Sequence, residues 1–138
     1  MGNLYSQFTY DDELSLKDAG LVDATTTEST IIDLGTGLVD GVLVLDVSAV
    51  EIASGNEIYT IHLEGSTVDG MASGSVSLAN IAMGNSPAPA DADTGTGRFA
   101  IPFRNEQNGT IYPFVRIYTL VAGTIATGIN FAAFMAKK

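Results

Sequence analysis

The stretch Glu57-Ile-Tyr-Thr-Ile-His-Leu-Glu-Gly-Ser66 sets the period by which the rest of the chain is read. Tyr59, Ile61 and Leu63 fall on one side of it and Thr60, His62 and Glu64 on the other. A two-residue period belongs to a strand with one face on a core and the other on water or a partner. His62 is therefore expected outside the core.

The same alternation recurs downstream, where Phe99, Ile101 and Phe103 share a face opposite Arg98, Ala100, Pro102 and Arg104. Pro102 has no N–H for a ladder, so its strand is expected at an edge or a bulge. Upstream, Leu43, Leu45, Val47 and Ala49 give way to Val50 and Ile52, a slip of one residue that predicts a β-bulge near Ala49. From Ile31 onward, short apolar segments are separated by Gly, Asn, Ser and Thr clusters, the pattern of an all-β sandwich or barrel. Strands are expected at 30–34, 41–53, 56–65, 74–82, 97–103, 110–122 and 128–136. Ser54-Gly55-Asn56 is read as closing one hairpin and Gln107-Asn108-Gly109 another.

At 138 residues and 14.4 kDa the chain makes one domain, large enough to bury about two thirds of its unfolded surface without cross-links. With 46% hydrophobic and 16% charged residues it is too apolar for a disordered acidic chain and too interrupted for a membrane-spanning one. Six basic residues against 16 acidic ones, a net charge of -10, make nucleic acid a poor partner, because a run of phosphates would be repelled. With no cysteine, disulfides, thiol nucleophiles and thiolate zinc sites are excluded. The single histidine, His62, falls short of the two or three imidazoles that zinc and iron enzymes use. No residue is assigned a catalytic, cofactor-binding or metal-ligating role, and a non-enzymatic protein is expected. No basic leader with an apolar stretch and cleavage site opens the sequence, so no secretion is expected.

Two stretches break the strand pattern. Residues 1–29 carry few strand signals; within them 12–20 reads either as a short helical turn stopped by Gly20 or as an extended arm, and the arm is adopted, with the sandwich domain at 30–138. Residues 84–97 form a small-residue loop rich in Ala and Pro. Inside it, Asp91-Ala92-Asp93 resembles half of a calcium loop, but the next alternate position is Gly95 and no carboxylate follows before Glu106, so a solvated loop is the reading. Met1-Gly2-Asn3-Leu4-Tyr5-Ser6 fits a short myristoylation pattern and Asn108-Gly109-Thr110 a glycosylation acceptor, although Asn-Gly between apolar segments is first a tight turn.

Arg98, Arg104 and Arg116 are the only arginines, and all lie on or beside expected strands. A guanidinium holds a carboxylate through two parallel hydrogen bonds, so the three are candidates for pairs with Asp or Glu within the chain or for contacts across an interface. Tyr112 and Tyr118 are expected on the face of Arg116, and Phe134 opposite Phe131 and Met135, as exposed aromatic contacts. Leu14 and Leu16 of the arm complete the expected interface set.

The run Ala24-Thr-Thr-Thr-Glu-Ser-Thr-Ile-Ile-Asp-Leu-Gly35, the 57–66 stretch, Gly97-Arg-Phe-Ala-Ile-Pro-Phe-Arg-Asn105, Tyr112-Pro-Phe-Val-Arg-Ile-Tyr118 and Ala122-Gly-Thr-Ile-Ala-Thr-Gly-Ile-Asn130 together resemble the jelly-roll capsid cement (decoration) proteins of tailed bacteriophages. The resemblance runs from about residue 24 to the C-terminus. It implies a jelly-roll-like antiparallel β-sandwich that binds the outside of an assembled capsid, bridges major capsid protein subunits, and associates as dimers or trimers. It places the protein on the virion, assembled in the bacterial host cytoplasm, with no nucleic acid, membrane or cofactor. The 84–97 loop departs from the family pattern, so no lattice contact is carried onto it. An acidic, cysteine-free β-domain suits a protein that gains its grip from many modest contacts in a symmetric lattice. The alternative is a β-sandwich carbohydrate-binding module of a phage tail or cell-wall protein, for which five Tyr and no Trp are available.

Overall fold

The computed structural model describes residues 14–85 and 96–137, of Lys137 the backbone alone. Eleven strands build it: β1 (Ser15–Val22), β2 (Thr26–Thr27), β3 (Ile32–Asp33), β4 (Asp40–Val50), β5 (Ile58–Ser66), β6 (Val76–Gly84), β7 (Gly97–Arg104), β8 (Glu106–Gln107), β9 (Thr110–Ile111), β10 (Phe114–Ala122) and β11 (Ile129–Lys137). They form an antiparallel β-sandwich. One sheet has the order β1-β11-β4-β7; the other runs β2-β10-β5-β6, with β3 also on β10; β8 and β9 make a small separate hairpin.

The core lies where the inward sides of the two sheets meet. Leu43, Leu45, Phe131, Ala133 and Met135 from the first sheet face Tyr59, Ile61, Leu63, Val115 and Ile117 from the second. Tyr59, Ile61 and Leu63 are fully buried and Thr60, His62 and Glu64 half-buried on the outward side, as the alternation requires. Pro102 sits on β7, an edge strand, where a missing N–H costs no ladder bond. The expected bulge is present: Phe131 pairs with Val47 and Asn130 with Ala49, so Ser48 is the extra residue.

Two expectations change. Residues 15–22, assigned to the arm, form β1, which pairs with β11 and puts Leu16 and Val22 into the core. The sandwich therefore begins before residue 29, and no helical turn is found over 15–20. The strand is irregular, with register shifts between Ser15 and Lys17 and between Lys17 and Gly20, which erases the two-residue period in the sequence. The Ser54-Gly55-Asn56 turn exists, with Gly55 N–H donating to Ile52 O at 3.2 Å, but it carries the chain from one sheet to the other instead of closing a hairpin. Gln107-Asn108-Gly109 does close the β8–β9 hairpin, with positive φ at both Asn108 and Gly109.

The sandwich is sealed differently at its two ends. At the first, where β4 and β10 stop and β5 and β11 start, two carboxylates gather backbone N–H groups. Glu51 accepts from Ala126, Thr127 and Gly128, and Glu57, fully buried, accepts from Ser54 and Asn56. The Thr127 and Gly128 donors hold Glu51 below its usual carboxylate range. Burial works against the Glu57 charge, but its backbone donors outweigh it and keep that carboxyl low as well. Burial and the two glutamates push the Tyr59 phenol, which donates to Glu51 O at 3.1 Å, up to about 12.

At the opposite end buried Asn105 joins three segments. Its Oδ1 accepts from Val39 N at 2.7 Å, and its Nδ2 donates to Gly37 O and Tyr112 O. Beside it a cavity of about 250 Å³ opens between the sheets, lined chiefly by Leu14, Ile32, Leu34, Val39, Phe103 and Met135.

Candidate interaction surfaces

The strand parity that fills the core also decides what the outward faces carry. On the four-stranded sheet, Val42 and Val44 of β4 and Phe134 and Ala136 of β11 point away from the second sheet and form an apolar floor. Register sets Val44 beside Phe134 and Val42 beside Ala136. It also sets Asp46 opposite Arg98 and Asp40 opposite Arg104 across β4 and β7, so the floor is flanked by two ion pairs. Both are bidentate: Arg98 Nε to Asp46 Oδ1 at 2.6 Å and Nη2 to Oδ2 at 2.9 Å, Arg104 Nε to Asp40 Oδ1 at 2.8 Å and Nη2 to Oδ2 at 3.1 Å. The guanidiniums are about half exposed, and hydrogen bonding to the aspartates pushes the pKa of both arginines up. Arg98 also lies over the Phe134 ring, 5.5 Å from its centroid, within the range of a cation–π contact.

The outward face of the other sheet is a polar ladder. Arg116 pairs with Glu64 at 3.1 Å, both largely shielded, and next along the strands Tyr118 lies beside His62 with ring centroids 5.9 Å apart and planes tilted by 42°. His62 Nδ1 and Ser77 Oγ are 2.9 Å apart, and Gln107 Nε2 donates to Ser77 O at 2.8 Å, tying the β8–β9 hairpin to β6.

The expected interface residues are thus divided between regions. Arg98, Arg104 and Phe134 share one outward face, and Arg116 and Tyr118 the opposite one. Phe134 is buried, contrary to its reading as an exposed aromatic. Tyr112 leaves the face of Arg116 because Pro113 interrupts the strand: its Cβ lies 3.0 Å from where a Cβ on Gly65 would stand, and Gly65 pairs with core-facing Val115. Leu16 is fully buried in the core and presents nothing to a partner, while Leu14 is partly buried at the cavity.

Three features escaped the sequence reading. His62 and Ser77 meet only because β5 and β6 pair; a Ser–His contact is part of an acyl-transfer set, but neither residue lines either cavity described here and, among the described residues, no carboxylate is hydrogen-bonded to the imidazole. Lys17 is 8% exposed, donates to Asp18 O, Gly20 O and Phe131 O, and sits 4.5 Å from the Phe131 ring centroid. Burial lowers its pKa against the pull of Glu28 and Asp18. A polar cleft of about 310 Å³ opens beside it, lined by Lys17, Asp23, Thr25, Thr26 and Glu28 among others. Among the described residues no group of three His, Cys, Asp or Glu is placed to hold a metal ion, and no helix is long and apolar enough to cross a membrane. The Asp91-Ala92-Asp93 loop and the Gly2 pattern lie outside the described residues. No family model and no curated protein matches the chain.

Proposed function

We propose that this protein is a capsid decoration protein: a non-enzymatic β-sandwich that docks on the outside of a tailed-phage capsid, bridges major capsid protein subunits and associates with its own copies as a dimer or trimer. The observation that carries the reading is the outward side of the β4–β7 edge, where two bidentate Arg–Asp pairs stand about half exposed to solvent. Exposed pairs of this kind add little to folding. Their half-exposed guanidiniums have the geometry to pair with carboxylates of a neighbouring subunit. The strand order supports a jelly roll. Leaving the small β8–β9 hairpin aside and taking β2 and β3 together, since both pair with β10, the chain changes sheet at every connection except β5 to β6, giving β1-β11-β4-β7 over β2-β10-β5-β6, as two Greek keys wound together do.

The carbohydrate-binding alternative needs flat, open rings, and Tyr118 is half-buried and tilted on His62. The test is addition of the purified protein to expanded empty capsids that lack their decoration protein. Binding with a rise in the capsids' heat resistance is expected, and Arg98→Ala with Arg104→Ala weakens that binding while leaving the melting temperature of the free protein within a few degrees. Absence of binding across low and high salt overturns the proposal, and selective glycan-array binding in its place favours the alternative.

A further inference from the structure

The sandwich is closed along one side and open along the other. On the side where β1 is the edge, Leu16 and Val22 are sealed in the core. On the other side the edge strands β6 and β7 meet, and Leu78, Ile81, Phe99 and Ile101 pack against the core yet stay only half-buried.

The edges also differ in what guards them. β7 carries Arg98, Pro102 and Arg104, β1 is broken by two register shifts and holds Lys17 and Asp18, and β2 and β3 have two residues each. Charge, proline, bulges and shortness all keep a sheet edge from pairing with another chain. β6 has nine residues, Val76-Ser-Leu-Ala-Asn-Ile-Ala-Met-Gly84, with neither charge nor proline. Its bulge at Leu78 and the Gln107 bond to Ser77 O both lie near its start. From Ala79 onward, no strand among the described residues pairs with its outer side.

Ladder parity decides which backbone groups stand on that side. Val121 N–H donates to Thr25 Oγ1 and Ile117 O accepts from Glu28 N–H, so the odd-numbered residues of β10 turn their polar groups away from β5. Bonding rungs alternate, so β5 uses its even-numbered residues toward β10, and Tyr59, Ile61 and Leu63 toward Met83, Ile81 and Ala79 of β6. Asn85 N–H donates to Glu57 O, a rung of the same parity. The N–H and C=O groups of Asn80 and Ala82 therefore point off the sheet.

We propose that this edge pairs with a second copy of the chain, β6 against β6, about a two-fold axis at Ile81. In that register Asn80 of each copy exchanges backbone hydrogen bonds with Ala82 of the other, and Ile81 stands opposite its own copy. A two-fold axis sets a strand antiparallel to itself, so the surface is its own complement. Charge argues for this occupant: two chains of net charge -10 repel, and along β6 they meet with no like-charged pair in the seam. The proposal rests on the self-association in the reading above and gives it a surface. Its test uses the free protein, so pairing and capsid binding fail or hold separately.

Sedimentation equilibrium of the full chain from about 10 µM to about 1 mM is expected to show monomer and dimer, as suits an interface of one strand pair. Ala82→Pro removes an N–H that faces off the sheet and spares the bonds to β5. It is expected to raise the dimer dissociation constant at least about tenfold, with the melting temperature kept within a few degrees. Ala82→Lys gives the same loss if the proline variant does not fold, while Ala122→Lys, exposed on β10 away from the edge, does not weaken the dimer. The chain has no cysteine, so Ile81→Cys reports the register. Opposed residues of a non-bonded rung lie about 4.5 Å apart between Cα atoms, within disulfide reach, so oxidation should link Ile81→Cys at least about tenfold faster than exposed Ser48→Cys. A chain that stays monomeric throughout overturns the proposal, as does a dimer or trimer that neither Ala82 variant weakens. Equal cross-linking rates overturn it too.

Discussion

The two ends of the sandwich do the same job by unlike means. The first gathers five backbone N–H groups onto Glu51 and Glu57, and loop backbones there approach so closely that a Cβ on Gly128 would run into Val22 O. The second is joined inside by a neutral side chain, Asn105, beside a cavity of about 250 Å³, its carboxylates Asp33 and Asp40 lying nearer the surface. Charge-assisted bonds to amides stiffen a loop and make it dependent on pH. An amide next to a cavity leaves slack and no titration. One end is therefore expected to be rigid and acid-sensitive, the other accommodating.

Three experiments test that contrast, and a fourth probes the core between the two ends. The largest effect is expected from glycine substitution: Gly128→Ala, at φ +103° and without space for a methyl group, costs about 3 kcal/mol or more in chemical denaturation. Gly41→Ala, whose new methyl would stand 2.9 Å from the Phe103 ring, costs only about 1–2 kcal/mol because that ring borders the cavity. Equal costs would erase the distinction between the ends. Next, Asn105→Ala leaves Val39 N–H without its side-chain acceptor and is expected to cost about 2–3 kcal/mol, with hydrogen exchange speeding up at residue 39 and not at 126–128.

The third experiment is a pH series. Glu51 and Glu57 both titrate below 4.5, so what they contribute is complete above about pH 4.5 and disappears as pH falls through their folded values. Protection of the amides at 126–128, taken relative to the intrinsic exchange rate at each pH, should fall on acidification before protection at residue 39 does; simultaneous loss at both ends contradicts the picture. Tyr59 works in the other direction, its contribution complete below pH 10 and lost as pH climbs through about 12. The smallest effect belongs to neither end. Thr119 is fully buried between the sheets with its hydroxyl unpaired, so Thr119→Val should stabilise the protein by about 1 kcal/mol, and a loss of stability would mean that the hydroxyl has a partner.

What the sequence disclosed follows from which interactions leave a period. β5 was legible because one side chain in two is apolar along its length, and β7 for the same reason. The bulge at Ser48 was legible because it shifts that period by one. β1 was not, because its bulges place Lys17 among buried residues and break the alternation that would have announced a strand. The position of the Ser54-Gly55-Asn56 turn could be read, but its partner strands could not, since a turn between sheets uses the same residues as one within a sheet. Glu57 and Asn105 carried no signal either: their partners are backbone groups brought together only by folding. The outward ladder of Arg116, Glu64, Tyr118 and His62 was half visible, the residues being identifiable one by one and their pairing fixed by a register the sequence does not state.

The β8–β9 hairpin stands apart from both sheets, and its Asn108-Gly109 tip is exposed. Foreign sequence spliced between those two residues would interrupt no rung of the sandwich, because the ladders of β7 and β10 end at Arg104 and begin again at Phe114. That tip is a mounting point at which an epitope or a small enzyme can be carried without disturbing the fold that bears it.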